Sequence, residues 1–304
     1  MVKILFFATD SYNNICDYYD LITEEFLFNI EQTAFSASSM EDIENYNETF
    51  DIIVYRSRDR ENYYWGYVPS YDDILKCVLK FKPKIIIQLC DEFYYENLQE
   101  HNQLANYCNL FLRQFNYFNY EYFANTKQIP LGYYNNFEYR NAIIKPICDR
   151  KYSWSFIGCE KSDRKNCIDV FSAIDNEFLH IQKDGISQQI SRKDLIDVYL
   201  DSIFVLCPRG WSQLECNRIY ESILCGAIPV IACNVEEYNE TFGNLNTSSF
   251  PHWIVGFSWE DAKERCQYFL SQQNELQKMQ ETNILWWNNL ISDIRVEINK
   301  VLEK

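Results

Sequence analysis

Short, largely apolar runs recur along this chain with helix-patterned stretches between them, and this alternation limits the fold more than any other feature. Residues 3–8, 51–55, 84–90 and 110–112 form such runs in the first half, and residues 203–207 and 228–233 in the second. A strand that is apolar on both faces must be covered on both faces, which a parallel sheet flanked by helices provides. Between the runs at 51–55 and 84–90, Ser70-Tyr-Asp-Asp73 is a polar cap ahead of Ile74, Leu75, Val78 and Leu79 at helical spacing, so the segment reads as one βαβ unit. A second helix is expected over residues 96–108.

The alternation breaks around Gln128-Ile-Pro-Leu-Gly-Tyr133 and resumes at Tyr152, which puts a domain boundary near residue 148. The second half then reads as a strand over 152–157, a helix over 163–173, a strand over 177–182, a helix capped by Ser191, the strand at 203–207, a helix over 214–225 and the strand at 228–233. Ser258-Trp-Glu-Asp261 caps a further helix, and residues 272–302 are helical. The expected architecture is α/β of the GT-B type: two Rossmann-like domains over 1–148 and 149–275 facing across a cleft, with a C-terminal helix over 276–304 packing back on the first.

Composition removes several functions. With 44 acidic against 28 basic residues the net charge is −16, which repels phosphate backbones, so no nucleic acid is expected as a partner. No apolar window reaches the roughly 18 residues of a membrane span, and the N-terminal run is too short for a signal peptide, so a soluble, cytoplasmic protein with no integral membrane segment is expected. The 12 cysteines include no C-x-x-C pair and several sit in apolar runs, which reads as buried thiols. His101, His180 and His252 have no ligand spacing, and no metal site is expected.

In an open parallel sheet, ligands bind where strands end and helix N-termini begin. After the run at 203–207 come Pro208, Arg209 and Gly210, and then a helix carrying Arg218, Glu221 and Ser222 on one face. Gly210 would let a phosphate approach the backbone, Arg209 or Arg218 would pair with it, and the Glu221 carboxylate would accept the hydroxyls of a ribose. An ordinary i,i+3 ion pair between Arg218 and Glu221 on an exposed helix face explains the same residues. The strand before it ends in Gly158, followed by Lys161 and Arg164 at a helix start, so two basic loops would converge on one crevice. Neither loop has a dinucleotide-binding or P-loop glycine pattern.

Phe204-Val-Leu-Cys-Pro-Arg-Gly210, Asn217-Arg-Ile-Tyr-Glu-Ser222 and Gly226-Ala-Ile-Pro-Val-Ile231, in that order and spacing, resemble the donor-site signature of the exostosin-like glycosyltransferases. The similarity extends upstream to Trp154-Ser-Phe-Ile-Gly158, to Ile129-Pro-Leu-Gly132, to Leu110-Phe-Leu-Arg-Gln114, and to Gln88-Leu-Cys-Asp-Glu92. That last segment is similar to exostosin-like enzymes of large DNA viruses and to a related xylosyltransferase branch. The chain departs from the pattern after Ile231, where the family has an acidic residue with Pro-Phe and this sequence reads Asn-Val-Glu-Glu-Tyr, leaving Glu236 as the substitute.

The resemblance implies an inverting GT-B enzyme of glycan biosynthesis with a UDP-sugar as substrate, no separate cofactor and no essential metal. It implies a nucleotide-sugar donor and a glycan acceptor as partners, xylose as the sugar, Cys207 and Pro208 in the donor loop and, for a viral source, the cytoplasm of an infected host. The general base should be a first-half acid at a strand end: Asp91 or Glu92, the other of the two capping the following helix, with Asp10 in reserve, while Arg113 would either hold acceptor or phosphate or be a surface or structural arginine. Two alternatives stay open, a GDP-sugar enzyme of the fucosyltransferase type and a non-catalytic carbohydrate-binding member.

Overall fold

The structure, a computed structural model, describes residues 1–7, 17–57, 69–90, 98–115, 123–161, 163–182, 190–210, 213–245 and 250–304. These divide into two units, Met1–Pro130 with Ile291–Lys304, and Leu131–Leu290.

The first unit holds strands β1 (Val2–Phe7), β2 (Gln32–Ser36), β3 (Ile52–Ser57), β4 (Ile85–Cys90), β5 (Leu110–Arg113) and β6 (Thr126–Gln128), in the sheet order β2-β1-β3-β4-β5-β6. Every pairing is parallel, and the register aligns Ile4 with Ile52, Ile52 with Ile85 and Ile85 with Leu110. The apolar runs are thus the interior strands. Helices α1 (Met40–Asn45), α2 (Tyr71–Phe81) and α3 (Leu98–Asn102) belong to this unit. The polar cap expected over Ser70–Asp73 forms, as a reciprocal capping box, and α2 buries Ile74, Cys77, Val78 and Phe81 against Leu5, Ile53 and Ile86. The helix expected over 96–108 is α3 followed by a 3₁₀ turn over Gln103–Tyr107.

The second unit repeats the plan with β7 (Tyr152–Cys159), β8 (Glu177–Gln182), β9 (Ser202–Leu206), β10 (Ile228–Ala232) and β11 (Ile254–Gly256), ordered β11-β10-β9-β7-β8 and all parallel. Its helices are α4 (Arg164–Phe171), α5 (Arg192–Leu200), α6 (Asn217–Leu224), α7 (Val235–Phe242), α8 (Trp259–Leu270) and α9 (Gln273–Leu302), the last continuing into the first unit from Ile291. Ser191, Asn234 and Ser258 each accept a hydrogen bond from the backbone amide three residues on, which fixes where α5, α7 and α8 start. Trp154, Phe156, Phe204, Leu206, Ile228 and Val230 form the centre of its core.

The boundary expected at 148 falls inside the second unit, which begins at Leu131. Residues 131–147 contain no strand and only short 3₁₀ turns, so periodicity carried no signal there. They are tied to the second unit by the Leu131 amide, which donates to Glu215 Oε1 at 2.8 Å, and by the Ile147 amide, which donates to Gln277 Oε1 at 3.1 Å. Among the described residues no helix is long and apolar enough to cross a membrane.

Candidate functional site

The loops after β7 and β9 and the N-terminal turn of α6 come together at the carboxyl end of the second sheet. Arg164, at the start of α4, joins the two loops: Nε donates to the Arg209 carbonyl at 3.0 Å, Nη1 to the Cys159 carbonyl at 3.2 Å and Nη2 to the Gly210 carbonyl at 3.0 Å. It is 8% exposed, so its charge supports the loop from beneath. Arg209 forms a two-pronged ion pair with Glu237 of α7, with Nη2 2.7 Å from Oε2. Glu236, the acid named in the sequence as the substitute after Ile231, precedes Glu237 in the first turn of α7. The Gly210 amide donates to the Gln213 carbonyl at 3.0 Å, closing the loop on itself.

Cys207 and Pro208 are buried, and the Cys207 amide donates to the Val230 carbonyl, which ties the loop to β10. Lys161 lies between β7 and α4, and its carbonyl accepts the Arg164 amide. Ser222 is fully buried with its hydroxyl donating to the Ile219 carbonyl at 2.8 Å, a bond within the helix. Of the expected donor residues, Arg164, Arg209, Gly210 and Ser222 therefore already hold protein partners.

Arg218 and Glu221 are different. Arg218 Nη2 donates to the Pro208 carbonyl at 2.7 Å and its guanidinium lies over the Phe156 ring at 5.5 Å, while Nε is buried with no hydrogen-bond partner among the described residues. Gly158 allows this approach: a Cβ there would meet Phe156 Cζ at 3.2 Å and Arg218 Nη1 at 3.4 Å. Glu221 is 3% exposed and its Oε1 has no hydrogen bond among the described residues. The two side chains form no ion pair with each other. Among the described residues the cation in ion-pair range of Glu221 is Arg192, 3.7 Å away, so the surface i,i+3 pair that competed in the sequence is not what the structure contains. Burial pushes the Glu221 carboxyl up to about 7, opposed by Arg192 and Arg218.

Glu215, two residues before α6, carried no expectation. It is fully buried; Oε1 accepts the Leu131 amide and the Tyr220 hydroxyl, and burial pushes its carboxyl up to about 7. The clue was an acid between Leu214 and Cys216 just ahead of an apolar helix. A carboxyl that titrates near 7 folded but near 4.5 unfolded makes the native state bind the extra proton. Its contribution to stability is therefore fully present below about pH 4.5 and declines as pH rises through 7. Glu215→Gln keeps the acceptor and removes the charge. In urea unfolding the variant should be more stable than the parent at pH 8, by at most about 3 kcal/mol, with the gain gone or reversed at pH 5. A gain of equal size at both pH values would contradict this account.

In the first unit, Arg113 at the end of β5 is wholly buried and donates through Nη1 to Asn102 Oδ1. Gln88, Gln114, Gln128 and His101 are buried in the same unit, and burial together with Arg113 holds the His101 imidazole down at about 4, so it is neutral at pH 7. Arg113, expected to hold acceptor or phosphate or to be a structural arginine, thus stands at the strand end with Asn102 as one partner. Asp10, Asp91 and Glu92 lie outside the described residues. Among the described residues no three His, Cys, Asp or Glu side chains group as metal ligands.

The family described as the RXYLT1 C-terminal domain matches residues 133–304. Human ribitol-5-phosphate xylosyltransferase 1 is 27% identical over 206 residues, which are 58% of this chain and 44% of that protein, so the match spans less than half of the relative. Among solved structures, Anabaena HepE in complex with UDP and glucose aligns with a TM-score of 0.59 at 10% identity over 100% of both chains. T4 phage BGT with its UDP-glucose substrate aligns at 0.51 and 10% identity, also over 100% of both. An alpha1,3-fucosyltransferase gives 0.50 at 11% identity over 100% of this chain and 90% of that one. At such identities the likeness is one of fold, and with the two parallel sheets it identifies the fold as GT-B.

Proposed function

The chain belongs to the RXYLT1 C-terminal domain family, and from that premise we propose that it is an inverting glycosyltransferase that moves a sugar, xylose first among candidates, from a UDP-sugar to a glycan hydroxyl. The observation that carries the reading is the pair on α6: a buried carboxylate oxygen and a buried guanidinium nitrogen, both without hydrogen-bond partners among the described residues. They stand beside the loop where a parallel sheet of this fold takes its ligand. Native structures rarely leave such groups unmet, and a ligand is one of the few things that meets them. In this reading Glu221 accepts the ribose hydroxyls and Arg218 donates to the diphosphate, which protein cations and helix N-termini neutralise in place of a metal. The exostosin-like resemblance and the xylosyltransferase relative support the donor class and the sugar.

Calorimetric titration with UDP and GDP tests it. UDP should bind, GDP should bind more weakly, and Arg218→Ala and Glu221→Ala should each weaken UDP. Losing a charge-assisted hydrogen bond costs about 1.5–3 kcal/mol, roughly 10- to 150-fold in Kd. Tighter binding of GDP would move the protein to the fucosyltransferase-type alternative. Unchanged UDP affinity in both variants would remove these residues from the donor site.

A further inference from the structure

Arg192, the first residue of α5, brings Nη1 to 3.7 Å from Glu221 Oε1, which is ion-pair range yet too long for a hydrogen bond. Its side chain is 41% exposed and its guanidinium carbon lies 5.3 Å from the centre of the Tyr134 ring. The other titratable or charged groups facing Glu221 are Tyr199 on α5, Arg218 on α6, and Cys216 and Cys225 at the two ends of α6. Arg218 is anchored on the Pro208 carbonyl. Arg192 is anchored only by Tyr134 and the long ion pair in the contacts described, with much of its surface open to solvent.

A buried carboxylate with an unfilled acceptor oxygen suits a vicinal diol, which offers two O–H donors at the spacing of the two carboxylate oxygens. A guanidinium already laid on an aromatic ring is a planar cation with one flat face open, and such a face stacks on a heteroaromatic base. The two features side by side fit the nucleoside end of a nucleotide.

We propose that Arg192, laid on Tyr134, is a specificity-determining wall of the nucleotide pocket: it stands in ion-pair range of Glu221, which accepts the ribose hydroxyls of a nucleoside diphosphate, and stacks against the base. The inference rests on the reading of Arg218 and Glu221 given above. It assigns Arg192 to the nucleoside, so its loss is felt by a ligand without phosphate. It also makes the affinity depend on pH through Glu221, because removing the cation in ion-pair range leaves that buried acid harder to ionise.

The experiment is calorimetric titration of uridine and UDP, or guanosine and GDP should the purine bind better, into wild type, Arg192→Gln, Arg192→Lys and Arg218→Ala between about pH 5.5 and 9. Arg192→Gln should weaken nucleoside and nucleotide alike by about tenfold and move the pH of half-maximal nucleoside affinity upward. Arg192→Lys keeps the charge and should restore the pH midpoint while leaving part of the affinity loss. Arg218→Ala should weaken the diphosphate far more than the nucleoside. Arg192→Gln binding the nucleoside like wild type with the same pH profile, while Arg218→Ala loses UDP, overturns this inference alone. Loss confined to the diphosphate in Arg192→Gln also overturns it, by making Arg192 a phosphate ligand. A wild-type protein that binds no nucleoside diphosphate overturns both this inference and the reading beneath it.

Discussion

Arg150→Met is expected to cost the protein about 4 kcal/mol or more and to lower the melting temperature by on the order of 10 °C. Arg150 is 8% exposed and has no carboxylate partner in the contacts described. Instead, Nη1 donates to the carbonyls of Tyr199 and Ser202 at 3.0 and 2.7 Å, Nη2 to those of Lys145 and Cys225 at 3.0 Å each, and Nε to Lys145 again at 3.3 Å. These carbonyls end α5, begin β9, follow α6 and close the segment before β7, so one side chain fastens four pieces of the second unit. Methionine fills the volume and removes every donor, leaving buried acceptors whose desolvation is no longer offset. Gly226 belongs to the same knot. Its φ is +71°, and a Cβ there would lie 2.8 Å from Arg150 Nη2, so this member of the Gly-Ala-Ile-Pro-Val motif is fixed by packing against Arg150 and Gln280. Thermal unfolding followed by circular dichroism is the measurement. A drop of only a degree or two would mean that water or a shifted backbone satisfies those carbonyls.

The other large effect is expected in turnover. Asp91 and Glu92 directly follow β4, an interior strand whose described residues Ile85, Ile86, Ile87 and Leu89 are all buried. The proposed inverting transfer needs a base to take the acceptor proton as its oxygen attacks, and a rigid element is where a base is held in reach. Asp91→Asn keeps size and hydrogen bonding but cannot take a proton. Turnover should fall roughly 10²- to 10⁴-fold while UDP affinity stays near wild type, a split that separates a base from a donor ligand. Full activity in Asp91→Asn with loss in Glu92→Gln would transfer the role to Glu92. Activity in both would leave Asp10 as the next acid to replace.

How far the fold was legible follows from where apolar surface goes. Interior strands are covered on both faces, so β1, β3, β4, β5, β9 and β10 stand out as runs rich in Ile, Leu, Val and Phe, while β7 mixes Trp154, Phe156 and Ile157 with small residues. The strands that periodicity passed over, β2, β6 and β11, are all at sheet edges. Gln32–Ser36 is half exposed and Thr126–Gln128 and Ile254–Gly256 are three residues each, too short to show a pattern. The starts of α2, α5 and α8 were legible because a serine cap acts within one turn of its own position, whereas α1 and α7, capped by Ser39 and Asn234, were not read.

The candidate site divides along the same line. Sequence alone determined that the chain builds two parallel sheets, and it placed Gly158, Arg164, the 207–210 loop, Arg218 and Glu221 at strand ends of one of them. Neighbours along a strand–loop–helix unit converge whatever the rest of the protein does. Only the tertiary structure decided which of those groups are already occupied. Arg209 meets Glu237 from 28 residues away, Arg164 meets carbonyls 45 and 46 residues away, and Glu221 finds its cation in Arg192, on a helix that sequence reading left outside the site. Ion pairs and hydrogen bonds act over a few ångströms in space, and spacing along the chain carries no record of which distant partner fills that distance. That is why the open Nε of Arg218 and Oε1 of Glu221 could be told from the occupied groups of Arg164, Arg209 and Ser222 only once those partners were traced in space.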